Sequence, residues 1–236
     1  MKIDAIVLAG GRGLRMGNST PKQYLPLLEK PMLFYSLKAF EESFIDNVIL
    51  VCNEGEEDFC RKEIVIKHGL NKVNKIVAGG KERFESVFNG LMASDGCDYI
   101  YIHDGARPLV SQYILDRCQH YVEKYRAAVA ARPASDTVKI EDGNGFIAST
   151  PDREMVWLME TPQVFEYGLA RSAFTKLMDS RERLREAGVK ITDDTMVIKM
   201  FEDVDSYLVE DLYCNIKVTR PEDLIVAEAM LKNGRT

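Results

Sequence analysis

The chain has 236 residues, with 31 Lys or Arg against 37 Asp or Glu and a net charge of −6. This acidic balance argues against nucleic acid as the main partner, because binding to a phosphate backbone depends on a surplus of Lys and Arg. A composition of 46% hydrophobic and 29% charged residues is typical of a globular protein and excludes wholesale disorder.

The apolar runs are short, and the cysteines are scattered. No run approaches the roughly 18 apolar residues of a transmembrane helix, and the apolar stretch 5–9 is too short for a signal-peptide core. The five cysteines form no C-x-x-C pair, which predicts reduced thiols in a cytoplasmic protein and no zinc site. Three dispersed histidines, without an H-E-x-x-H pattern, make a metal cage built by the protein alone improbable.

Short apolar runs alternate with segments of helical periodicity. The runs predict buried strands over 3–9, 47–52, 73–78, 99–103 and 127–131. Apolar residues recur at helical spacing from Phe84 to Leu91 and from Ile114 to Tyr125, and Thr219 to Glu222 form the capping-box pattern of a last helix. This alternation predicts an α/β fold with a mostly parallel sheet flanked by helices, in a single domain over 1–236.

One region breaks the alternation. Residues 136–140 and 146–150 have the pattern of two strands, and the glycine-containing segment 141–145 between them is typical of a turn. We therefore predict an inserted β-hairpin, which together with the residues after it forms an arm over 136–157. Three interpretations of the arm remain open: a lid, a contact between subunits, or a segment that simply extends into solvent.

A glycine-rich loop follows the first predicted strand, where residues 9–17 read A-G-G-R-G-L-R-M-G. Backbone N–H groups of such a loop can surround an anion. The loop matches neither the Walker pattern nor the dinucleotide-binding pattern, which requires glycine in place of Met16. No acid lies between Asp4 and Glu29, and the loop region carries the cations Arg12, Arg15 and Lys22. We interpret it as a triphosphate site; the alternative is a plain turn with solvated cations.

Asp104 and Arg107 follow the strand predicted over 99–103, in the sequence H-D-G-A-R-P. Ligands of open parallel sheets bind beyond the carboxyl ends of the strands, and a carboxylate there can hold Mg²⁺ against phosphate oxygens. The alternative is a structural ion pair between Asp104 and Arg107. We expect His103 to be a packed, hydrogen-bonded residue and not a catalytic base.

Several further segments are weaker signals. The pair Gly79-Gly80, with Ser86 in the helix that follows, could approach a flat base, although the same pattern also caps ordinary helices. In the carboxyl half, hydroxyl groups together with Arg153 and Lys217 could surround a second phosphate. Each of these segments also has an ordinary interpretation as a turn or a cap.

In this order, the motifs resemble the 2-C-methyl-D-erythritol 4-phosphate cytidylyltransferase family of the non-mevalonate isoprenoid pathway. The resemblance runs from Ala5 to Glu228. It rests on A-G-G-R-G-L-R-M, P-K-Q-Y-L, G-G-K-E-R-F-E-S-V-F-N-G-L, H-D-G-A-R-P, D-T-V-K, T-P-D-R, T-P-Q, T-D-D and N-I-K-V-T-R-P-E-D-L. The first two stretches are typical of nucleotidyltransferases in general. D-T-V-K, T-P-D-R and T-D-D favour the methylerythritol branch.

The resemblance implies a Rossmann-like fold of the nucleotidyltransferase type and transfer of CMP from CTP to the acceptor phosphate. It implies catalytic roles for Arg15, Lys22 and Lys217, and a role for Asp104 in binding both the nucleotide and Mg²⁺ or another divalent cation. The remaining nucleotide contacts it implies are Ala9, Gly10, Gly11, Gly13, Gly80 and Ser86. The acceptor contacts it implies are Arg107, Thr137, Arg153, Thr161 and Thr192. Thr137 and Arg153 lie on the arm, which the resemblance assigns to a homodimer contact that reaches the partner's site.

Two alternatives remain open. A ribitol 5-phosphate cytidylyltransferase would share most of these motifs, and a regulatory module would bind the nucleotide without turning it over. The chain also departs from the family at Glu160, which precedes Thr161 where an uncharged residue is usual. That departure puts a carboxylate near the predicted phosphate pocket.

Overall fold

The structure of the protein is a computed structural model that describes residues 1–11, 21–212 and 215–234. In chain order, the strands of these residues are β1 (Ile3–Leu8), β2 (Pro26–Leu27), β3 (Lys30–Pro31), β4 (Asn47–Cys52), β5 (Val73–Ala78), β6 (Tyr99–Asp104), β7 (Ala127–Pro133), β8 (Ile140–Glu141), β9 (Ile147–Ser149), β10 (Trp157–Glu166) and β11 (Tyr207–Glu210). The α-helices are α1 (Met32–Glu41), α2 (Glu57–Phe59), α3 (Arg83–Ala93), α4 (Gln112–Tyr125), α5 (Tyr167–Glu186), α6 (Asp194–Glu202) and α7 (Pro221–Lys232). A π-helix at Cys60–Ile66 and short 3₁₀ turns at Lys22–Tyr24 and Arg153–Met155 complete the elements.

In the described part of the chain, a seven-stranded sheet runs in the order β11-β7-β10-β6-β1-β4-β5. Every neighbouring pair is parallel except the two pairs that involve β10, which is antiparallel to β6 and β7. The mostly parallel α/β fold predicted from the sequence is therefore confirmed. The carboxyl ends of β1, β4, β5 and β6 lie at one edge of the sheet, where ligands of such folds bind.

Helices pack on both faces of the sheet. On one face, α1, the π-helix and α4 contribute buried residues such as Phe40, Ile64 and Cys118. On the other face, α3, α5 and α6 contribute buried residues such as Leu91 and Phe174. Strands covered on both sides are largely apolar, which explains why β1, β4 and β6 were predictable as short apolar runs.

The sequence predicted five strands of this sheet and did not predict the other two, β10 and β11. Strand β10 contains Glu160, Thr161 and Pro162, and proline argues against a central strand because it lacks an N–H. The structure accommodates these residues in a bulge, where the pairing with β7 shifts register between Met159 and Gln163. Strand β11 has only four residues and follows no clear pattern.

The inserted hairpin is present. Strands β8 and β9 pair with each other antiparallel, and their residues are exposed. The paired part is shorter than the two five-residue segments predicted from the sequence. The assignment of the arm to 136–157 and the single-domain organisation stay predictions.

The last helix begins where the sequence predicts, but its cap differs in detail. The helix starts at Pro221, and the carboxylate of Asp223 accepts hydrogen bonds from the amides of Thr219 (2.7 Å) and Arg220 (2.8 Å). The capping box predicted from the sequence ran from Thr219 to Glu222, whereas the observed one runs from Arg220 to Asp223, one residue later. In the part of the chain that the structure describes, no helix is long and apolar enough to span a membrane.

We predict opposite effects for alanine at two helical glycines. A Cβ added at Gly90 of α3 would lie 2.8 Å from Cγ2 of the buried Ile6 in β1. One added at Gly168 of α5 would have no heavy atom of the described residues within 4 Å. Gly90→Ala should lower the free energy of unfolding by about 1–3 kcal/mol through overpacking. Gly168→Ala should leave it unchanged or raise it by up to about 1 kcal/mol. Urea denaturation measures both, and equal stability of the two variants would contradict the packing of α3 on β1.

Candidate active site

The carboxylate of Asp104 lies at the carboxyl end of β6, held between two cations. Lys217 donates to its Oδ2 at 2.6 Å, and Arg83 Nε donates to its Oδ1 at 3.2 Å. Burial alone would raise the pKa of Asp104, but the positive charges of Arg83, Lys217 and Arg107 lower it well below its usual range. Asp104 is therefore a fixed anion in the centre of a positively charged group.

Arg83 joins this carboxylate to a second one. Its two terminal nitrogens donate to Oδ1 and Oδ2 of Asp194 at 2.6 and 2.8 Å, which is the two-pronged geometry that suits a guanidinium and a carboxylate. Arg83 is the first residue of α3 and Asp194 the first residue of α6. The pair therefore ties the starts of two helices to the end of β6.

A chain of hydrogen bonds orients the backbone at Asp104. The amide of Asp104 donates to Thr161 Oγ1 at 3.1 Å, and the same oxygen lies 3.0 Å from His103 Nδ1. His103 Nε2 lies 3.1 Å from the carbonyl of Arg107, which can only accept, so Nε2 carries the proton and Nδ1 accepts from the Thr161 hydroxyl. Burial lowers the pKa of His103 to about 4, which keeps the ring neutral. The expectation that His103 is a packed residue agrees with this arrangement.

Arg107 is nearly buried, and its guanidinium bonds mainly to carbonyl groups. Nη1 donates to the carbonyl of Asn215 at 2.6 Å, and Nη2 donates to that of Met159 at 3.3 Å. Burial lowers the pKa of Arg107, although its guanidinium remains charged at neutral pH. The alternative of an Asp104–Arg107 ion pair is wrong, because Asp104 pairs with Arg83 and Lys217 instead.

These side chains open onto a pocket of about 270 Å³. The pocket is lined by Arg83, Asp104, Arg107, Met159, Glu160, Thr161, Gln163, Thr192, Asp193 and Lys217. Five residues predicted from the sequence thus come together from distant segments: Asp104, Arg107, Thr161, Thr192 and Lys217. Charged groups alternate with hydroxyl and amide groups, which suits a small, polar and anionic molecule.

Lys22 lies beside a residue that neighbours this pocket in sequence. Its Nζ donates to the carbonyl of Val218 at 3.0 Å, next to the pocket residue Lys217. In the loop itself, the amides of Ala9 and Gly11 donate to the Val51 carbonyl (2.7 Å) and to Asn53 Oδ1 (2.9 Å). Gly10 is exposed between them. The predicted contacts Gly13 and Arg15, and the cation Arg12, lie outside the described residues.

Four other predicted contacts lie away from the pocket lining. Ser86 Oγ accepts from the amide of Gly80 at 3.0 Å, which closes the turn between β5 and α3. Thr137 and Arg153 are exposed on the arm, and Arg153 donates to the carbonyl of Ser135 at 3.2 Å. The turn at Gly80 stands at the β5 edge of the sheet, whereas Asp104 ends the central strand β6.

Sequence reasoning missed Arg83, Gln163, Asp193 and Asp194 as site residues. Gln163 Oε1 accepts from the amides of Asp194 (3.0 Å) and Thr195 (3.1 Å), so it fixes the start of α6 against β10. All four residues stand inside the G-G-K-E-R, T-P-Q and T-D-D motifs. The available signal was the concentration of charged and amide side chains in those motifs, but which of them face Asp104 depends on the packing of α3 and α6.

The residues present fit a magnesium site that is completed by substrate. In residues 1–11, 21–212 and 215–234, no three His, Cys, Asp or Glu side chains cluster closely enough to hold a metal ion by themselves. Asp104 offers one ionised carboxylate that faces the pocket. Mg²⁺ typically takes one or two carboxylates and fills its other positions with substrate phosphates and water, so a single carboxylate is an adequate protein contribution.

Comparisons with known proteins give a consistent result. The family model described as "IspD: 2-C-methyl-D-erythritol 4-phosphate cytidylyltransferase" matches residues 3–233. Curated proteins of that name from Lachnoclostridium phytofermentans and Clostridium botulinum are each 44% identical to this chain; they cover 98% and 97% of it, and the matches span 97% and 99% of their own lengths. The crystal structure of 4-diphosphocytidyl-2C-methyl-D-erythritol synthase from Anaerococcus prevotii has a TM-score of 0.79 at 31% identity, with 98% of each chain covered. The Thermus thermophilus 2-C-methyl-D-erythritol 4-phosphate cytidylyltransferase has a TM-score of 0.77 at 27% identity, with 98% and 100% covered.

We predict that removing the Arg83 charge destabilises the fold. Arg83→Met leaves the buried Asp194 without its partner, and breaking such a pair typically costs about 3–5 kcal/mol of unfolding free energy. The double variant Arg83→Met/Asp194→Met should lose clearly less than the sum of the two single losses. Lys67→Met is the control, because its partner Glu63 is exposed and the loss should be far smaller than that of Arg83→Met. Additive losses in the double variant would contradict the coupling.

Proposed function

Because the chain belongs to the 2-C-methyl-D-erythritol 4-phosphate cytidylyltransferase family, we propose that it transfers CMP from CTP to 2-C-methyl-D-erythritol 4-phosphate in non-mevalonate isoprenoid biosynthesis. As a member of this family it is a nucleotidyltransferase enzyme. The observation that carries the proposal is the pocket in which the ionised Asp104 lies among Arg83, Arg107 and Lys217.

The reaction joins two anions. An oxygen of the acceptor phosphate attacks the α-phosphorus of CTP and forms a new P–O bond. The bond between the α-phosphorus and the bridging oxygen of the β-phosphate breaks, and its electron pair leaves with pyrophosphate. A phosphate oxygen is already nucleophilic, so no general base is needed; the neutral, buried His103 is consistent with that. The protein's task is alignment and charge compensation.

The cations of the pocket perform that task in this proposal. Arg107 and Lys217 line the pocket and bind the acceptor phosphate and its junction with CTP, together with the hydroxyls of Thr161 and Thr192. Lys22 and Arg15 contact the triphosphate, with the backbone of Ala9, Gly10, Gly11 and Gly13. Gly80 and Ser86 hold the nucleoside. Good alignment of two reactants can lower a barrier by about 7–11 kcal/mol.

We propose Mg²⁺, or another divalent cation, as the cofactor, with Asp104 as its protein ligand. The ion would neutralise triphosphate oxygens and stabilise the leaving pyrophosphate. The chain's own contribution is to hold Asp104 ionised and oriented through Arg83 and Lys217.

The arm supports a homodimer as the working form. It carries exposed apolar residues, among them Phe146 (72%), Ile147 (66%) and Met155 (80%), and an exposed patch of such side chains is typical of a surface that contacts a partner. Thr137 and Arg153 lie on the arm and outside the pocket lining of their own chain. We therefore propose that they complete the acceptor site of a second copy. We also propose a cytoplasmic location, on the basis of the scattered cysteines.

The enzyme should release pyrophosphate from CTP and Mg²⁺ when 2-C-methyl-D-erythritol 4-phosphate is added. The assay compares this acceptor with ribitol 5-phosphate, and we expect kcat/KM to be higher for the methylerythritol compound. A preference for ribitol 5-phosphate would indicate that the protein is a ribitol 5-phosphate cytidylyltransferase. CTP binding without turnover on either acceptor would instead indicate a regulatory module.

Mixed dimers should recover activity from two inactive variants. Lys22→Ala should lower kcat by a factor of about 10²–10³, as expected for the loss of one preorganised charge. Arg153→Ala should also be inactive if Arg153 of one subunit completes the site of the other. In a mixture of the two proteins, a mixed dimer then contains one site with both Lys22 and Arg153 intact. Lys67→Ala serves as the control for loss of an exposed lysine. No recovery, once subunit exchange has been demonstrated, would exclude the shared site.

A further inference from the structure

Glu160 has no role in the mechanism above, yet it lines the pocket. Its side chain is only 4% exposed, and its Oε2 atom is buried with no hydrogen-bond partner among the residues that the structure describes. Leaving a buried carboxylate oxygen unpaired is costly, so such an atom calls for an explanation. Two nearby buried acids, Asp104 and Asp194, have both oxygens paired.

The bulge in β10 accounts for this position. Met159 pairs with Ala131 and Gln163 with Val129, so the three residues 160–162 of β10 lie opposite the single residue Ala130 of β7. Bulges of this kind redirect side chains, and here both Glu160 and Thr161 line the pocket. Glu160 is therefore placed in the pocket by backbone geometry and is not a surface residue that happens to fold inward.

The positive charges around Glu160 compensate the negative charge of its carboxylate only in part. Its Oε1 lies 3.3 Å from Nε of Arg132, which is half exposed, and 4.0 Å from Nη1 of Arg107. The negative charge of Asp211, in the segment after β11, opposes its ionisation. Burial raises the pKa of Glu160 to about 7, against the lowering effect of Arg107 and Arg132. The other charged groups of the pocket are Arg83, Asp104, Asp193 and Lys217.

We propose that Glu160 is a proton-coupled positioning residue: it takes up one proton from solvent when the acceptor phosphate enters, and this frees the charge of Arg107 for that phosphate. The inference rests on the proposed function, because it assumes that a phosphorylated acceptor occupies this pocket. A carboxylate beside an incoming phosphate dianion is repulsive, and the repulsion is strong where water is excluded. A neutral carboxyl group removes the repulsion, and its O–H gives Oε2 the capacity to donate a hydrogen bond.

The pH dependence of KM for the acceptor tests this role. If only the protonated form admits the acceptor, a group with a pKa of about 7 makes KM about tenfold higher at about pH 8 than at about pH 6. Glu160→Gln imitates the protonated side chain. At about pH 8 its KM should therefore be about tenfold below that of the wild type, with the two converging at about pH 6. The KM for CTP should not differ, and kcat should change less than about twofold.

Glu166→Gln is the matched control. Glu166 lies on the same strand, is exposed and pairs with Arg126 outside the pocket, so its KM profile should follow the wild type. The acceptor's own titration is common to all three proteins and cancels in the comparison. Parallel KM profiles for wild type and Glu160→Gln would overturn the proposal. A merely structural Glu160 would give that result, because the Gln variant would then show the same pH dependence.

A second measurement does not require turnover. A carboxyl group whose pKa is higher in the folded state stabilises the fold below its unfolded pKa, and this contribution is lost as the pH rises through the folded pKa. The free energy of unfolding of the wild type should therefore fall, relative to Glu160→Gln, between about pH 4.5 and about pH 7. A constant difference across this range would overturn the proposal even if neither acceptor is turned over. Turnover without that pH dependence would leave the cytidylyltransferase activity in place and remove only the role of Glu160.

Discussion

The rest of the site depends on two salt bridges, which hold the buried carboxylate of Asp104 between Arg83 and Lys217. Burial would favour a neutral acid, but the surrounding cations keep it ionised. The three residues come from the end of β6, the start of α3 and the segment before α7. One charge cluster therefore holds together parts of the chain that are more than 100 residues apart in sequence.

The same cluster explains how an acidic protein forms a site for two anions. The net charge of −6 is an average over the chain, whereas Arg83, Arg107 and Lys217 converge within one pocket. Their mutual repulsion is relieved by Asp104 and, through Arg83, by Asp194. The carboxylates thus offset part of the repulsion among these cations. Phosphate groups would supply the remaining negative charge when they bind.

Glu160 illustrates how a small irregularity of the backbone gives a pocket an additional property. In a regular strand, successive side chains point to opposite faces of the sheet. Glu160 and Thr161 can both line the pocket because β10 has a bulge at these residues. Thr161 uses this position to orient the backbone of Asp104 through its hydroxyl. Glu160 occupies the neighbouring position, where burial raises its pKa to about 7 and one oxygen has no partner among the described residues.

The sequence by itself determined the apolar strands, the helices with clear periodicity, the hairpin and the family, because each of these is written in local patterns of residue type. It also indicated Asp104 and Lys217 through their motifs. Only the tertiary structure decided that Arg83 and not Arg107 is the partner of Asp104, because side-chain pairing depends on how α3 and α6 pack against β6. The strands β10 and β11, and the burial of Glu160, were likewise beyond local patterns. A proline-containing strand with a bulge is stabilised by its neighbours in the sheet and not by its own sequence.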